Sequence, residues 1–223
     1  MDREKLSTSI IKLQSITNEE WGKYAFSRDP IHRKVTPKQQ ALYTQKATQS
    51  GVEQARKLMA ESPSATSIWE IAEAQGLVID KEESEGSDDY IVFAKYNYPN
   101  NITLFMKNVT HLQAFLEDHQ LLDLVGDVEI ASVLLAHEMY HFCEETIPDV
   151  YTKLERFELW KLGPFKYKTG LIAIREIAAM AFAKEILDLP YHPYIFDTLL
   201  LLPHDTKRAL RLMDEIFDIL EMS

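Results

Sequence analysis

The chain has 223 residues, 46% hydrophobic and 26% charged, a balance that suits one globular domain, or one domain with a small appendage, and a sizeable core. Its formal net charge of −11 at pH 7 argues against a body that binds nucleic acid by releasing counterions. The chain has a single cysteine, and its first segment lacks the apolar region of a signal peptide. It also lacks an apolar run of the roughly 18 residues that are needed to span a membrane. These features exclude disulfide-stabilised secreted and membrane-spanning classes and predict a cytoplasmic protein.

Helix-start signals mark the first part of the chain. Thr17 begins a capping box, in which a hydroxyl and an acid three residues later bind free backbone amides at a helix start. Thr36 followed by Pro37 predicts a second helix start, with a helix that runs to about Ser62. Gly51 lies inside that helix and weakens the prediction that it is unbroken. We therefore expect a helical N-terminal extension over residues 1–64.

Short helices and strands alternate in the next part of the chain. The segment SIWEIAEAQG predicts a short helix that ends at Gly76, and LVID follows as a strand. YIVFAKYNY and NITLFMKN are rich in β-branched and aromatic residues and are separated by a turn at Pro99, which predicts a hairpin or two adjacent strands. Because an exposed strand edge can bind an extended peptide, residues 102–106 are a candidate substrate platform.

The second half of the chain is mainly helical. Helices are expected over residues 109–126 and 127–145, then an apolar helix over residues 170–187, and one or two helices after Pro190. Residues 147–165 are mixed and aromatic, and no element is predicted for them. Together these elements predict a helix-rich α+β fold with a small β-sheet in addition to the N-terminal helices.

His137-Glu138-Met139-Tyr140-His141 matches the H-E-x-x-H motif inside a predicted helix, which is the context that the motif requires. The i, i+4 spacing places both imidazoles on one face, so that both can bind one Zn²⁺. Glu138 then lies beside the metal, where it can take a proton from an attacking water and pass it to a leaving amine. The alternative is that the motif occurs by chance and that two surface histidines flank a helical turn. Apolar residues before the motif favour the metal site, because buried histidines need partners.

A catalytic zinc needs a third protein ligand, and the H-x-x-G-x-x-H arrangement that would supply a third histidine is absent. Glu176 is the strongest candidate, because its same-face neighbours in the predicted helix are all apolar and an unpaired carboxylate there is costly. A buried salt bridge, for example with Arg175, is the alternative explanation. Four other acids are weaker candidates: Glu185, Asp149, Glu155 and Glu158.

Three residues outside the motif also bear on the site. Tyr191 and His192 follow a proline and could reach the cleft to stabilise an oxyanion, although such residues more often cap or pack a helix start. Cys143 lies about 200° around the helix from His141, so we expect a small core residue that points away from the metal.

Around these residues the chain resembles the ImmA/IrrE family of metallopeptidases. The segment EIAAMAFA, which begins at Glu176, is similar to the family's E-x-x-A-x-x-F-A, and paired aliphatic residues and Pro190 follow it. Upstream, IWEIAEAQGLVID resembles the family's helix-Gly-strand entry, and NITLFMKN resembles its strand before the active-site helices. The resemblance covers about residues 66–190. The chain departs from the family at Tyr140, where Gly is common.

The resemblance implies a zincin-like domain over residues 65–223, with Zn²⁺ on His137, His141 and Glu176 and with Glu138 as the general base. It implies an endopeptidase that hydrolyses a peptide bond of a protein substrate, with helix-turn-helix transcriptional repressors as the substrate class. We expect neither a membrane partner nor direct contact with nucleic acid, and the sequence leaves the oligomeric state open.

Two other functions stay as alternatives. The first is a catalytically silent protein that keeps the metallopeptidase fold and binds or senses a partner. The second is a structural protein in which the motif is accidental. The intact Glu138 favours the enzyme, because a purely structural zinc site needs no general base.

Overall fold

The structure is a computed structural model that describes residues 3–86 and 91–221. These residues form many helices and two small sheets, so the predicted helix-rich α+β class is confirmed. No helix in these ranges is both long enough and apolar enough to cross a membrane. The helices are α1 Arg3–Gln14, α2 Asn18–Ser27, α3 Pro37–Glu61, α4 Ile68–Ala74, α5 Met106–Asp118, α6 Leu122–Val125, α7 Ile130–Thr146, α8 Tyr151–Leu154, α9 Ile172–Ile186, α10 Phe196–Leu199 and α11 Thr206–Ile219, and the strands are β1 Val78–Glu82, β2 Ala94–Asn97, β3 Asn101–Phe105, β4 Phe157–Leu162 and β5 Phe165–Thr169.

The helix-start signals at Thr17 and Thr36 are confirmed. Thr17 and Thr36 cap α2 and α3, and each forms a complete capping box with the residue three positions later. Gly76 follows α4 with a positive φ of 71°, a conformation that glycine adopts without steric cost. The strand predicted over residues 90–98 is present as β2, and its first predicted residue lies outside the described ranges.

β3 is the central strand of a three-stranded sheet. It pairs in parallel with β1, where Ile79 faces Ile102, and antiparallel with β2, where Tyr96 faces the same residue. β3 ends at Phe105, and α5 follows directly. Because β3 is paired on both sides, the expectation of a free strand edge at residues 102–106 is wrong. Among the described strands, the sheet edge next to α7 is the unpaired edge of β2.

α3 runs unbroken through Gly51 and packs along α9. A Cβ on residue 51 would lie 2.2 Å from the carbonyl oxygen of Ala178 and 2.9 Å from the amide nitrogen of Phe182. Gly51 is therefore the position where the backbones of the two helices meet, and not a break in α3. The boundary expected after residue 64 stays a prediction. In the described structure, side chains of α1, α2 and α3 belong to the same hydrophobic core as those of α9.

Replacing Gly51 with alanine is expected to destabilise the protein by about 1–3 kcal/mol, because the added methyl group forces α3 away from α9. At an exposed helix position the same change would stabilise by about 1 kcal/mol through helix propensity alone, so the sign of the effect is diagnostic. The free energy of unfolding can be measured from urea titrations. Gln45→Ala, at an exposed position of α3, serves as the control. An alanine variant as stable as the wild type would contradict the close approach.

The segment 147–165, for which no element was predicted, begins with α8 and leads into a hairpin of β4 and β5. One face of the hairpin carries two cross-strand pairs, Trp160 with Tyr167 and Leu162 with Phe165. The rings of Trp160 and Tyr167 are stacked with their centroids 6.0 Å apart. All four side chains are about half exposed or more, so described residues leave this apolar face largely uncovered.

Candidate metal centre

Two long helices bring the predicted metal ligands together. α7 carries His137 and His141 one helical turn apart, and α9, which packs against α7, carries Glu176 in its second turn. One ligand atom from each of these residues lies within 4.8 Å of the others. The three side chains are therefore within reach of a single metal ion.

The separations between the ligand atoms are close to those that a tetrahedral ion requires. His137 Nε2 lies 3.2 Å from His141 Nε2, and the Glu176 carboxylate oxygens lie 3.4 Å from the first nitrogen and 3.7 Å from the second. Ligands bound at about 2.0–2.1 Å in a tetrahedron are roughly 3.3–3.4 Å apart. Two imidazoles and one carboxylate also form a donor set that holds catalytic zinc with a fourth position open. The residues present thus fit such an ion.

The pKa values of His137 and Glu176 also favour a bound cation. Burial disfavours a charged His137, but the hydrogen bond and charge of Glu176 outweigh burial and raise the pKa of this imidazole to about 9. Burial also opposes the charge of Glu176, yet its contacts with His137 lower the pKa of the carboxyl to about 2. The Nδ1 atoms of His137 and His141 are buried and have no hydrogen-bond partner among the described residues. A divalent cation can take the place of the proton held between these groups.

Glu138 lies beside the three ligands and lines the same cleft. Its Oε2 accepts a hydrogen bond of 2.8 Å from the backbone amide of Tyr96 on β2. The cleft has a volume of about 200 Å³, and His137 and Glu176 line it together with Glu138 and mainly apolar side chains. A carboxylate next to the open position of a metal site can act as a general base toward water. The cleft therefore combines three ligand candidates with one acid outside the ligand group.

The buried carboxylate of Glu144 lies close to His141. Glu144 lies one turn further along α7, with its Oε2 3.8 Å from Nδ1 of His141, and the same oxygen accepts a hydrogen bond of 2.6 Å from Nε of Arg175. Burial opposes the Glu144 carboxylate, but contacts with His141 and Thr152 and the charge of Arg175 lower its pKa. At this distance the carboxylate makes a charge contact with the imidazole and no direct hydrogen bond. Arg175, which was considered as a partner for Glu176, pairs with Glu144 instead.

Asp197 is a further acid in the cleft wall, and it was not predicted as a site residue. It lies on α10, and its Oδ2 accepts a hydrogen bond of 3.0 Å from the hydroxyl of Tyr24 on α2. Burial raises the pKa of Asp197 to about 6, although the Tyr24 hydrogen bond opposes the shift. Because Asp197 interrupts an apolar run, the argument that singled out Glu176 could have found it.

The weaker candidates for the third ligand lie elsewhere. Glu185 pairs with Arg56 at 2.7 Å, and Glu158 pairs with Lys166 of the hairpin at 3.0 Å. Within residues 3–86 and 91–221, the metal-ligand group includes none of the four rivals to Glu176: Glu185, Asp149, Glu155 and Glu158.

Tyr140 points into the core and not into the cleft. Its hydroxyl lies 2.9 Å from Thr152 Oγ1 and 3.3 Å from Ser50 Oγ, and its ring packs against Phe182. These contacts join α7 to α3, α8 and α9.

Cys143 is also fully buried, and burial raises the pKa of its thiol to about 12. Its interpretation as a core residue is confirmed.

His192 and Tyr191 make hydrogen bonds and packing contacts in the core, and they are not among the described residues that line the cleft. Nδ1 of His192 accepts a hydrogen bond of 3.4 Å from the amide of Tyr194, and the two rings stack with centroids 5.1 Å apart. The Tyr191 hydroxyl donates to the carbonyl of Val125 at 2.6 Å. Both residues are buried and neither is among the described residues that line the cleft, as the packing interpretation predicts.

His192 is expected to make the protein sensitive to mild acid. Burial, with a smaller effect of Lys184, lowers the pKa of this imidazole to about 3, whereas the unfolded chain titrates near 6.5. As pH falls below about 6.5, the unfolded state takes up a proton that the folded state does not. This contribution to stability is therefore complete at pH 7 and lost on acidification, by about 2 kcal/mol at pH 5.

The measurement is the free energy of unfolding at pH 7 and pH 5 for the wild type and for His192→Asn. Asparagine keeps an acceptor for the amide of Tyr194 but does not titrate. The difference between the two pH values should shrink by about 2 kcal/mol in the variant. An unchanged pH dependence would show that His192 is not held neutral by burial.

The described structure thus brings the four predicted site residues together, with Glu138 beside the group of His137, His141 and Glu176. Comparisons of the chain with protein-family models, with curated proteins and with solved structures gave no match.

Proposed function

We propose that the protein is a zinc-dependent endopeptidase that hydrolyses a peptide bond of a protein substrate. The observation that carries this proposal is the position of Glu138, next to the group of His137, His141 and Glu176 and in the wall of the same cleft. A zinc site that only stabilises a fold needs no additional acid there. Zinc, when bound, supplies Lewis acidity to a carbonyl group and makes water more acidic.

Each side chain of the site has a role in this proposal. His137, His141 and Glu176 hold the ion between α7 and α9, and Glu144 makes a charge contact with the ring of His141. Glu138 takes a proton from the attacking water and passes it to the leaving nitrogen. The hydrogen bond from the Tyr96 amide keeps the Glu138 carboxylate in place before the reaction.

The edge of β2 is the proposed path of the substrate. Among the described strands β2 pairs only with β3, so its other edge can receive an extended peptide. The amide of Tyr96 on that edge already donates to Glu138, so a peptide paired at Ala94, which lines the cleft, would pass close to Glu138. From the resemblance to ImmA/IrrE metallopeptidases we propose helix-turn-helix repressors as the substrate class and the cytoplasm as the place of action.

The test combines metal content with hydrolysis. The full chain is purified without chelator, its metals are measured by elemental analysis, and it is incubated with a peptide mixture that is then examined by mass spectrometry for new termini. We expect close to one zinc per chain, and new internal cleavages that a chelator abolishes and added zinc restores. A chain that neither contains nor takes up zinc would contradict the proposal. Bound zinc without any cleavage would favour the catalytically silent binding or sensor protein.

A further inference from the structure

A second cavity lies directly beside the candidate metal centre. It has a volume of about 390 Å³, and Phe93 and Asp197 line it. The same two side chains also line the cleft that contains Glu138. The two cavities therefore adjoin.

Three arginines surround this second cavity. Arg28 follows α2, and Arg208 and Arg211 lie three residues apart on α11, so that both face the same side of that helix. The guanidinium of Arg28 lies over the ring of Tyr24, 5.8 Å from its centroid. None of the ion pairs in the described part of the chain involves these three guanidinium groups.

This concentration of positive charge runs against the composition of the chain, which carries a net charge of −11. In the part of the chain that the structure describes, two acids also line the cavity, Asp197 and Glu215, and the charge of Arg28 acts on Asp197. Asp197 already accepts the hydrogen bond of Tyr24. Among the described residues that line the cavity, three guanidinium groups against two carboxylates leave a net positive charge, and the other described lining side chains are largely apolar. The three arginines are solvent-exposed, and an excess of one sign of charge around a concave site attracts ligands of the opposite sign.

We propose that Arg28, Arg208 and Arg211 form a subsite that binds a carboxylate of the substrate, next to the bond that is cut. Guanidinium groups suit this ligand because they bind carboxylates through paired hydrogen bonds. The proposal rests on the proposed peptidase function, and it adds a preference for peptides that are acidic beside the scissile bond. The carboxylate comes either from an Asp or Glu side chain or from the C-terminus of the peptide.

The test measures binding, so that it does not depend on hydrolysis. Three fluorescein-labelled peptides of ten residues share one neutral sequence. The first has a central Glu-Glu pair and an amidated C-terminus, the second has Gln-Gln and an amide, and the third has Gln-Gln and a free carboxylate. Their Kd values for the full-length, zinc-supplemented Glu138→Gln protein are measured by fluorescence anisotropy at low salt. We expect at least one carboxylate peptide to bind about tenfold more tightly than the Gln-Gln amide, a difference that corresponds to 1.4 kcal/mol.

The double variant Arg208→Gln/Arg211→Gln should remove most of this preference. Arg33→Gln/Lys34→Gln, which removes two exposed positive charges elsewhere, should retain it. Tighter binding of the Glu-Glu peptide identifies a side-chain subsite, and tighter binding of the free-carboxylate peptide identifies a terminal one. Equal or absent binding of all three peptides, or a preference that survives the double variant, overturns the proposal. If the preference holds but the wild type cuts none of the peptides, the subsite stands and the peptidase function is what fails.

Discussion

Replacing Glu138 with glutamine is expected to lower kcat for peptide hydrolysis by about 10²–10⁴-fold, the usual contribution of a general base. Glutamine has nearly the same shape and can still accept the hydrogen bond from the Tyr96 amide, so β2 and α7 keep their relative position. It cannot take up a proton from water. The three ligands are unchanged, so the zinc content should stay close to that of the wild type.

The measurement is the initial rate of hydrolysis of one peptide that the wild type cuts, at matched zinc occupancy. Glu117→Gln makes the same chemical change at an exposed position of α5, away from the cleft, and should leave the rate within about twofold, as expected of surface changes. If Glu138→Gln keeps both its zinc and its hydrolysis rate, Glu138 is not the base and the mechanism must be abandoned.

Removal of either a histidine or the carboxylate ligand is expected to abolish stoichiometric zinc binding. His141→Ala leaves one ligand on each of α7 and α9, and Glu176→Ala leaves the two histidines of α7. Zinc at a thousandfold excess over its Kd stabilises a folded protein by about 4 kcal/mol. In a chain of this size each kcal/mol shifts the Tm by about 2–4 °C, so zinc should raise the wild-type Tm by roughly 10 °C. Both variants should lose most of that shift.

Zinc content and Tm, measured with and without added zinc, test this expectation together. Glu185→Ala is the matched control, because Glu185 lies on the same helix as Glu176 but pairs with Arg56. It should retain the zinc and the zinc-dependent rise in Tm. Full zinc content in Glu176→Ala would assign the third ligand position to another group.

Local signals were sufficient for much of the fold. A hydroxyl at Thr17 or Thr36 and a glycine at position 76 determine where helices begin and end, since each acts on backbone groups only a few residues away. The pair of histidines follows the same logic, because the helix itself sets their spacing. Glu176 was found by a different argument, namely the cost of a carboxylate on an apolar face.

Contacts between distant segments were not predictable in this way. The hydrogen bond from Tyr96 to Glu138 and the one from Tyr24 to Asp197 each join residues whose proximity depends on the whole fold. Gly51 shows the same limit, because its sequence context indicates a weak point in a helix, whereas its role depends on α9 more than a hundred positions later. The hairpin of β4 and β5 was missed because its apolar face has the composition of a core segment and yet is exposed.

The exposed face of that hairpin also provides a spectroscopic reporter. The three tryptophans of the chain have different surroundings: Trp21 is fully buried in the core, Trp69 donates its indole N–H to Glu129, and Trp160 is 49% exposed. Acrylamide should therefore quench the emission of Trp160 first. Any molecule that covers the hairpin would protect this emission and shift it to shorter wavelength. With Trp160→Phe as the blank, intrinsic fluorescence can report such an encounter without a label.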